Sequence, residues 1–471
     1  MFLVILAFLG ACGGDDPADR PSAAAMDTET TVLRRGNGGE PSSLDPALAE
    51  DIHAFAILAD LFEGLVTTDA AGQVAPGVAR EWSVSDDGLE YRFVLRQDAR
   101  WSNGDRVVAG DFVRAFRHVA NPRTPSSYAF LLEAIAGFAA VKEGASDIDT
   151  LGVAALDDTT LQITLGRPTP YWLATLTMPI ASPRHPHGAA ISNGAYALED
   201  REALSLIRLT RNPYYHATTS LSIDVVESYP VVDQHAELNR FRAGELDITH
   251  AIPPNQLPAL REVMPDAVRI APMLGLYYLA FDLSEPPFDN PDLRQALSLA
   301  IDRSAISQVL GRGEVPAFAV TPPGVGGYEG IAYAWAGLEE NERVELARAH
   351  YARAGYGGDR PLSMTLLYDA GGVHESIAVA ITDMWRQALG VEVTLDKREW
   401  MHFLQAREDT AEWQAMRFSW FGDFDDPSTF LDIFRSDNEQ NLPGYANPLY
   451  DRLLSRADGQ QDREIRHSLL Q

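Results

Sequence analysis

An α/β fold is predicted for this chain, and three features predict it. Residues 362–396 read as strand, helix and strand in direct succession; residues 91–95 and 161–165 show the two-residue alternation of half-buried strands; and other stretches carry apolar side chains at helical spacing. The 471 residues, 46% hydrophobic and 22% charged, suffice for about two to four domains with cores of their own.

From Arg34 to Asp111 the pattern is mostly short strands broken by turns; Tyr91, Phe93 and Leu95 alternate with polar residues after the turn Asp86-Asp87-Gly88. Residues 111–120 then place Phe112, Ala115, Phe116 and Val119 at helical spacing, and Leu161, Ile163 and Leu165 return to strand alternation, so the first third is α+β. Past Pro287, Asp289-Asn290-Pro291 supplies a helix cap and a first-turn proline. Leu293, Ala296, Leu297, Ala300 and Ile301 form one stripe of a helix expected to run to Gly311. A further helix, 341–354, stops at Gly355. Strand 362–368, helix 374–389 ending at Gly390, and strand 391–396 make a β-α-β unit, which implies parallel strands joined by a right-handed crossover. Strand Trp413 to Phe421 leads into the acidic turn Gly422-Asp423-Phe424-Asp425-Asp426-Pro427. Ligands of open α/β sheets bind beyond the carboxyl ends of strands, so this turn is a favoured binding position. The chain closes in a helix, Asp462 to Leu470.

Composition removes several function classes. Lys and Arg number 38 against 67 Asp and Glu, a formal charge of −29 that repels phosphate backbones and anionic lipid heads. Nucleic acid is therefore not an expected partner. The lysines are Lys142 and Lys397, and neither follows the glycine that a phosphate-cradling P-loop requires. The single cysteine, Cys12, rules out an intrachain disulfide, a thiolate zinc cluster and a C-x-x-C redox pair.

Residues 2–9 form an apolar run too short to cross a bilayer but of signal-peptide length, followed by Leu9-Gly10-Ala11-Cys12. No Lys or Arg precedes the run, unlike the usual signal peptide. The tetrapeptide resembles the lipobox of bacterial lipoproteins, which implies cleavage before Cys12 and its acylation. Residues 13–31, small, polar and proline-containing, read as a flexible tether. No later apolar stretch reaches 18 residues, so attachment to a membrane by lipid alone is expected.

Several short motifs, in order, carry a wider resemblance: Glu40-Pro41-Ser42-Ser43-Leu44-Asp45-Pro46, Asp60-Leu61-Phe62-Glu63-Gly64-Leu65, Trp101-Ser102-Asn103-Gly104-Asp105, Asn193-Gly194-Ala195-Tyr196, Arg294-Gln295-Ala296-Leu297, and Trp420-Phe421-Gly422-Asp423 with Asp426-Pro427. On these the chain resembles the family 5 extracellular solute-binding proteins, and among them the oligopeptide-binding group of bacterial ABC importers. The resemblance implies a two-lobed, periplasmic-binding-protein-like clamp with an extra α+β subdomain on the first lobe. In this chain the division would be signal peptide 1–12, tether 13–31, first lobe 32–62 and 185–272, extra subdomain 63–184, and second lobe 273–471. Family length further implies a return segment of about 60 to 80 residues beyond Gln471.

A receptor indifferent to peptide side chains must hold the terminal amine, the backbone and the terminal carboxylate. An ammonium is best held by a carboxylate in a desolvated cleft, and by resemblance Asp423 has that role, while Asp425 and Asp426 read as solvated or capping. The peptide backbone can be paired as an added strand by an exposed edge, for which Arg417 to Phe421, with Trp420, is the matching segment. The resemblance places Arg407, Arg417 and His374 as cations for ligand carboxylates, and Glu50, Ile52, Tyr128, Tyr277, Trp400 and Asn441 on the cleft wall. Read without it, Tyr128, Tyr277 and Trp400 are equally packing residues, and Arg407 a solvated arginine on a polar helix face.

Other constellations fail on chemistry. His374-Glu375-Ser376-Ile377-Ala378 has Ala378 where H-E-x-x-H needs its second histidine. His185-Pro186-His187 reads as a rigid surface loop without a third metal ligand, and the acidic turn lacks the glycine of a calcium loop. Gly324-Val325-Gly326-Gly327 lacks the strand and helix of a dinucleotide site, and no G-x-S-x-G elbow occurs. The expectation is therefore a non-enzymatic, extracytoplasmic, lipid-anchored receptor that delivers short peptides to the permease and ATPase subunits of an importer, as a monomer without metal or cofactor. The alternatives are the same fold around a nickel chelate, haem, an opine or an oligosaccharide, or a surface hydrolase or peptide sensor.

Overall fold

The structure, a computed structural model, describes residues 30–253, 256–271, 273–371, 373–460 and 462–471. The signal peptide, Cys12 and all but the last two residues of the tether lie outside the described residues. Among the described residues no helix is long and apolar enough to cross a membrane.

The first body opens with strand β1 (Val32–Gly36) and helix α1 (Ile52–Leu61). The sequence suggested a β-rich opening here. The helix forms because Ala54, Ile57, Leu58 and Leu61 share one buried face and the Asp51 carboxylate caps the first turn by accepting the Ala54 N–H at 2.9 Å. Strands β2 (Ala79–Val84) and β3 (Glu90–Leu95), helix α2 (Ala109–Ala120), and strands β4 (Val153–Asp157) and β5 (Thr160–Thr164) follow. The four strands form one antiparallel sheet in the order β2-β3-β5-β4. Strands β6 (Tyr196–Glu202), β7 (Leu206–Arg211) and β8 (Val225–Tyr229) join β1 in a second sheet, ordered β1-β8-β7-β6, with β1 and β8 parallel and Val32 opposite Val225.

The Asn193-Gly194 motif holds the end of α1 against this sheet. The Asn193 side chain accepts the Glu63 N–H at 3.2 Å and donates to the Glu63 carbonyl at 2.8 Å. A Cβ on Gly194 would lie 2.6 Å from the Asp60 carbonyl oxygen, a backbone contact with no side chain to yield. Gly194→Ala is therefore expected to destabilise the protein by about 2–3 kcal/mol, measured by urea unfolding.

The second body begins at β9 (Gly275–Phe281). It continues through α3 (Pro291–Leu299), α4 (Arg303–Leu310), α5 (Glu340–Arg353), β10 (Ser363–Asp369), α6 (His374–Leu389), β11 (Glu392–Arg398), α7 (Trp400–Arg407) and β12 (Ala415–Phe421). The strand order is β9-β12-β10-β11, and β10 and β11 are parallel across α6, as the β-α-β reading requires. The single helix expected from 291 to Gly311 is instead two. The Asp302 carboxylate accepts the Ser304 and Ala305 N–H groups and starts α4, and Arg303 donates to the Ser298 and Ile301 carbonyls at the break. Gly390 terminates α6 in the left-handed conformation, φ 72°. Each body has its own core; in the second, Trp385 is fully buried among Leu293, Leu297 and Leu366 and donates its indole N–H to the Leu297 carbonyl at 2.8 Å. Helices α8 (Pro448–Asp458) and α9 (Arg463–Leu470) close the chain.

Candidate functional site

Between the two bodies lies a cavity of about 720 Å³. One wall comes from the turn before α1 and from Tyr128; the other comes from β12, the turn after it, and the start of α7. Asp423, Trp420, Arg417, Arg407, Trp400, His374, Tyr128, Glu50 and Ile52 all line it.

Asp423 sits just beyond the carboxyl end of β12, its N–H held by the Thr429 hydroxyl at 2.9 Å. Its Oδ2 is buried without a hydrogen-bond partner. Burial without a facing cation pushes its carboxyl up to about 8, so the empty site favours the neutral acid. A ligand cation is the missing complement. Along the adjoining strand, β12 pairs with β9 over its whole length but with β10 only at Ala415 and Met416. Past Met416 the β10 side of β12 therefore has no strand partner among the described residues.

The three expected cations differ. Arg407 is mostly buried, with its guanidinium 3.7 Å from the Glu50 carboxylate and its Nε donating to Glu408 at 2.8 Å; Glu50 also accepts the Ser127 hydroxyl at 2.9 Å. It is not the solvated arginine of a polar helix face. Arg417, 6% exposed, is already paired with Asp369, 4% exposed, and its guanidinium lies 4.8 Å from the Phe403 ring. As a free counter-charge for ligand it is corrected: its charge is spent on a buried partner. His374 stacks on Tyr277, ring centroids 5.7 Å apart, and burial, with the nearby Arg417 charge, pushes it down to about 4. It is neutral at physiological pH, so the expectation of a cation here is also corrected. A histidine-selective NMR titration should find His374 uncharged down to about pH 4.

Tyr128 reaches across the interface and stacks on Trp420, centroids 6.1 Å apart, with Phe55 edge-on to it at 5.2 Å. Tyr277 lies behind His374, off the cavity wall. Asn441 is off the wall too: its amide donates to the Arg435 and Tyr445 carbonyls and accepts the Tyr445 N–H, all bonds of its own loop. Its neighbour Gln440 lines the cavity instead and donates across it to the Ser127 carbonyl at 2.8 Å. Sequence reasoning missed Gln440, and also His53 and His250, whose rings lie 5.1 Å apart on the same wall. No spacing signal marks these residues, because they meet only in the tertiary fold. His185, expected on a surface loop, is buried against Trp101, with Asp105 3.3 Å from its Nε2. Among the described residues no group of three or more His, Cys, Asp or Glu side chains is placed to hold a metal ion.

Two α/β bodies closing on a cavity, with an unpaired carboxylate at the end of a sheet strand, define a two-lobed solute-binding clamp. The family model described as bacterial extracellular solute-binding proteins, family 5 Middle, matches residues 73–441, and the chain belongs to that family. It is 36% identical to the periplasmic oligopeptide-binding protein OppA of Escherichia coli over 93% of this chain and 83% of that protein. It is 35% identical to the probable deoxycholate-binding periplasmic protein YgiS of the same organism, over 97% and 87%. Among solved structures it resembles the Escherichia coli murein tripeptide-binding protein MppA with a TM-score of 0.90 at 34% identity, covering 94% of this chain and 89% of that one. MppA in its unliganded open form gives 0.68 at 33% identity, with 94% and 88% covered. The lobes of this protein are thus not set as in that open form.

Proposed function

We propose that this protein is an extracytoplasmic receptor that captures short peptides by their terminal amine and delivers them to an ABC importer. One observation carries the reading: the carboxylate of Asp423, whose Oδ2 is enclosed without a hydrogen-bond partner and faces no cation of the protein. The α-ammonium of a peptide supplies that cation, and the buried setting strengthens the pair. The open side of β12 past Met416 suits a backbone added as a strand. Arg407, whose Nε is held by Glu408 at 2.8 Å while its terminal nitrogen lies 3.7 Å from Glu50, is the guanidinium that can turn its loosely held arm to a ligand carboxylate. Neither Arg417 nor His374 offers a second one, so this chain selects less by terminal carboxylate than by amine. Trp400, Trp420, Tyr128 and Ile52 give the wall apolar area, which tolerates varied side chains.

In this reading peptide binds the open clamp, shifts it to the closed form, and leaves when the permease parts the lobes. Residues 273–471 act as the second lobe and 63–184 as the extra subdomain. The protein works as a monomer in the periplasm, without covalent chemistry, held to a membrane by acylated Cys12. Its partners are permease and ATPase subunits of a peptide importer. The similarity to YgiS motivates a second reading, a bile-acid ligand. A carboxylate anion with no amine gains nothing from Asp423, which separates the two. Mass spectrometry of small molecules carried by the purified protein should show a ladder of mixed short peptides, lost in Asp423→Ala. Bound deoxycholate retained in that variant would move the second reading to first place.

A further inference from the structure

The residue after the candidate amine anchor does not touch the cavity. Phe424 is absent from the cavity wall, is 7% exposed, and is the one member of the first body's core that comes from beyond residue 226 among the described residues. Its ring stacks face to face on Tyr171, with centroids 4.9 Å apart and planes 5° from parallel. Tyr171 in turn donates its hydroxyl to Asp432 at 2.9 Å and lies 5.6 Å from the Arg466 guanidinium, both in the second body.

The loop that carries Phe424 is braced on its own body at every other residue. The Thr429 hydroxyl accepts the Asp423 N–H, Asp425 accepts the Gly326 N–H at 2.7 Å, and Asp426 takes both arms of Arg466 at 2.7 Å. Asp423 and Phe424 therefore move as one rigid unit with the second body, one pointing into the cavity and the other into the opposite body. Parting the bodies would expose the Phe424 ring and leave a hole beside Tyr171. The burial of this ring thus favours only the closed arrangement.

We propose that Phe424 is the closure plug of the clamp, a positioning residue that couples cation capture at Asp423 to the seating of one body on the other. The ligand chemistry rests on the peptide reading above; the plug itself does not. Because the ring counts only when the bodies meet, its loss should lower the closed fraction, and apparent affinity falls by the same factor.

The test compares wild type, Phe424→Ala and Phe424→Leu, with tri-alanine as the probe. Phe424→Ala is expected to raise the Kd about 10- to 100-fold, chiefly through faster dissociation, and to reduce the ligand-induced compaction seen by small-angle X-ray scattering. Phe424→Leu, which keeps apolar volume but loses the stack, should fall between. The unliganded proteins should unfold within about 1 °C of each other, since in the open clamp the ring is not seated. A purely structural core residue would behave oppositely: Phe424→Ala would lower the unliganded Tm by several degrees, and that result overturns the plug, as does an unchanged Kd. If wild type ignores tri-alanine while unliganded Phe424→Ala unfolds like wild type, the peptide reading alone falls.

Discussion

Replacing Asp423 by asparagine should weaken the binding of tri-alanine by a factor of about 100 or more, because truncating one partner of a desolvated charge pair costs about 2–5 kcal/mol. N-acetylated tri-alanine, which offers no ammonium, should bind wild type and variant alike and weakly. Calorimetry with both ligands checks this, and equal losses for the two would sink the amine anchor. The pH dependence has a definite sign. Burial holds the Asp423 carboxyl at about 8, against an ordinary value of 3.8, and pairing with an ammonium requires the carboxylate. Between about pH 6 and 7.5 binding must release a proton, so affinity rises with pH by up to about tenfold per unit, until the amine itself begins to lose its charge near pH 8. Stability runs the other way. The closed, empty site keeps a proton that an open clamp or the unfolded chain releases above about pH 4, so the stability of the closed arrangement falls as pH rises from about 4 to 8. Asp423→Asn should remove that decline and leave the unliganded protein more compact at pH 8 than wild type by small-angle X-ray scattering, while it loses ligand. A variant with the wild-type pH slope would show that Asp423 is solvated in the empty protein.

Arg417→Met is expected to destabilise the fold by about 3–5 kcal/mol, because it leaves Asp369 buried without its counter-charge. The double variant Arg417→Met with Asp369→Asn should recover most of that loss, since the cost lies in the orphaned charge and not in the missing attraction. Urea unfolding of the two single variants and the double variant provides the cycle. Additive losses would mean that the pair is hydrated and that Arg417 remains available to ligand.

Much of the local structure was legible in the chain. Helix α6 was bounded at both ends by its period and by Gly390, and the parallel strands flanking it followed from the β-α-β order. Local signals failed where two compete. The stripe from Leu293 to Ile301 runs on into the next helix, but Asp302 caps so well that the chain breaks there, and a cap is a single residue against a periodic background. Helix α1 was hidden because it is short and apolar on more than one face.

At the site the division is sharper. Strand order and turn chemistry are written in spacing, so the α/β class, the family resemblance and the place of Asp423 in a turn after a strand could all be read from the chain alone. Nine of its eleven candidate residues line the cavity, yet it could not assign their charge states. The folded arrangement was needed to see that Asp369 pairs with Arg417, that burial against Tyr277 favours a neutral His374, that Gln440 and not Asn441 faces the cavity, and that Phe424 belongs to the core of the other body. The physical reason is common to all four. Charge state and burial depend on which distant groups share a low-dielectric space, and that is a property of the closed interface, not of any stretch of chain.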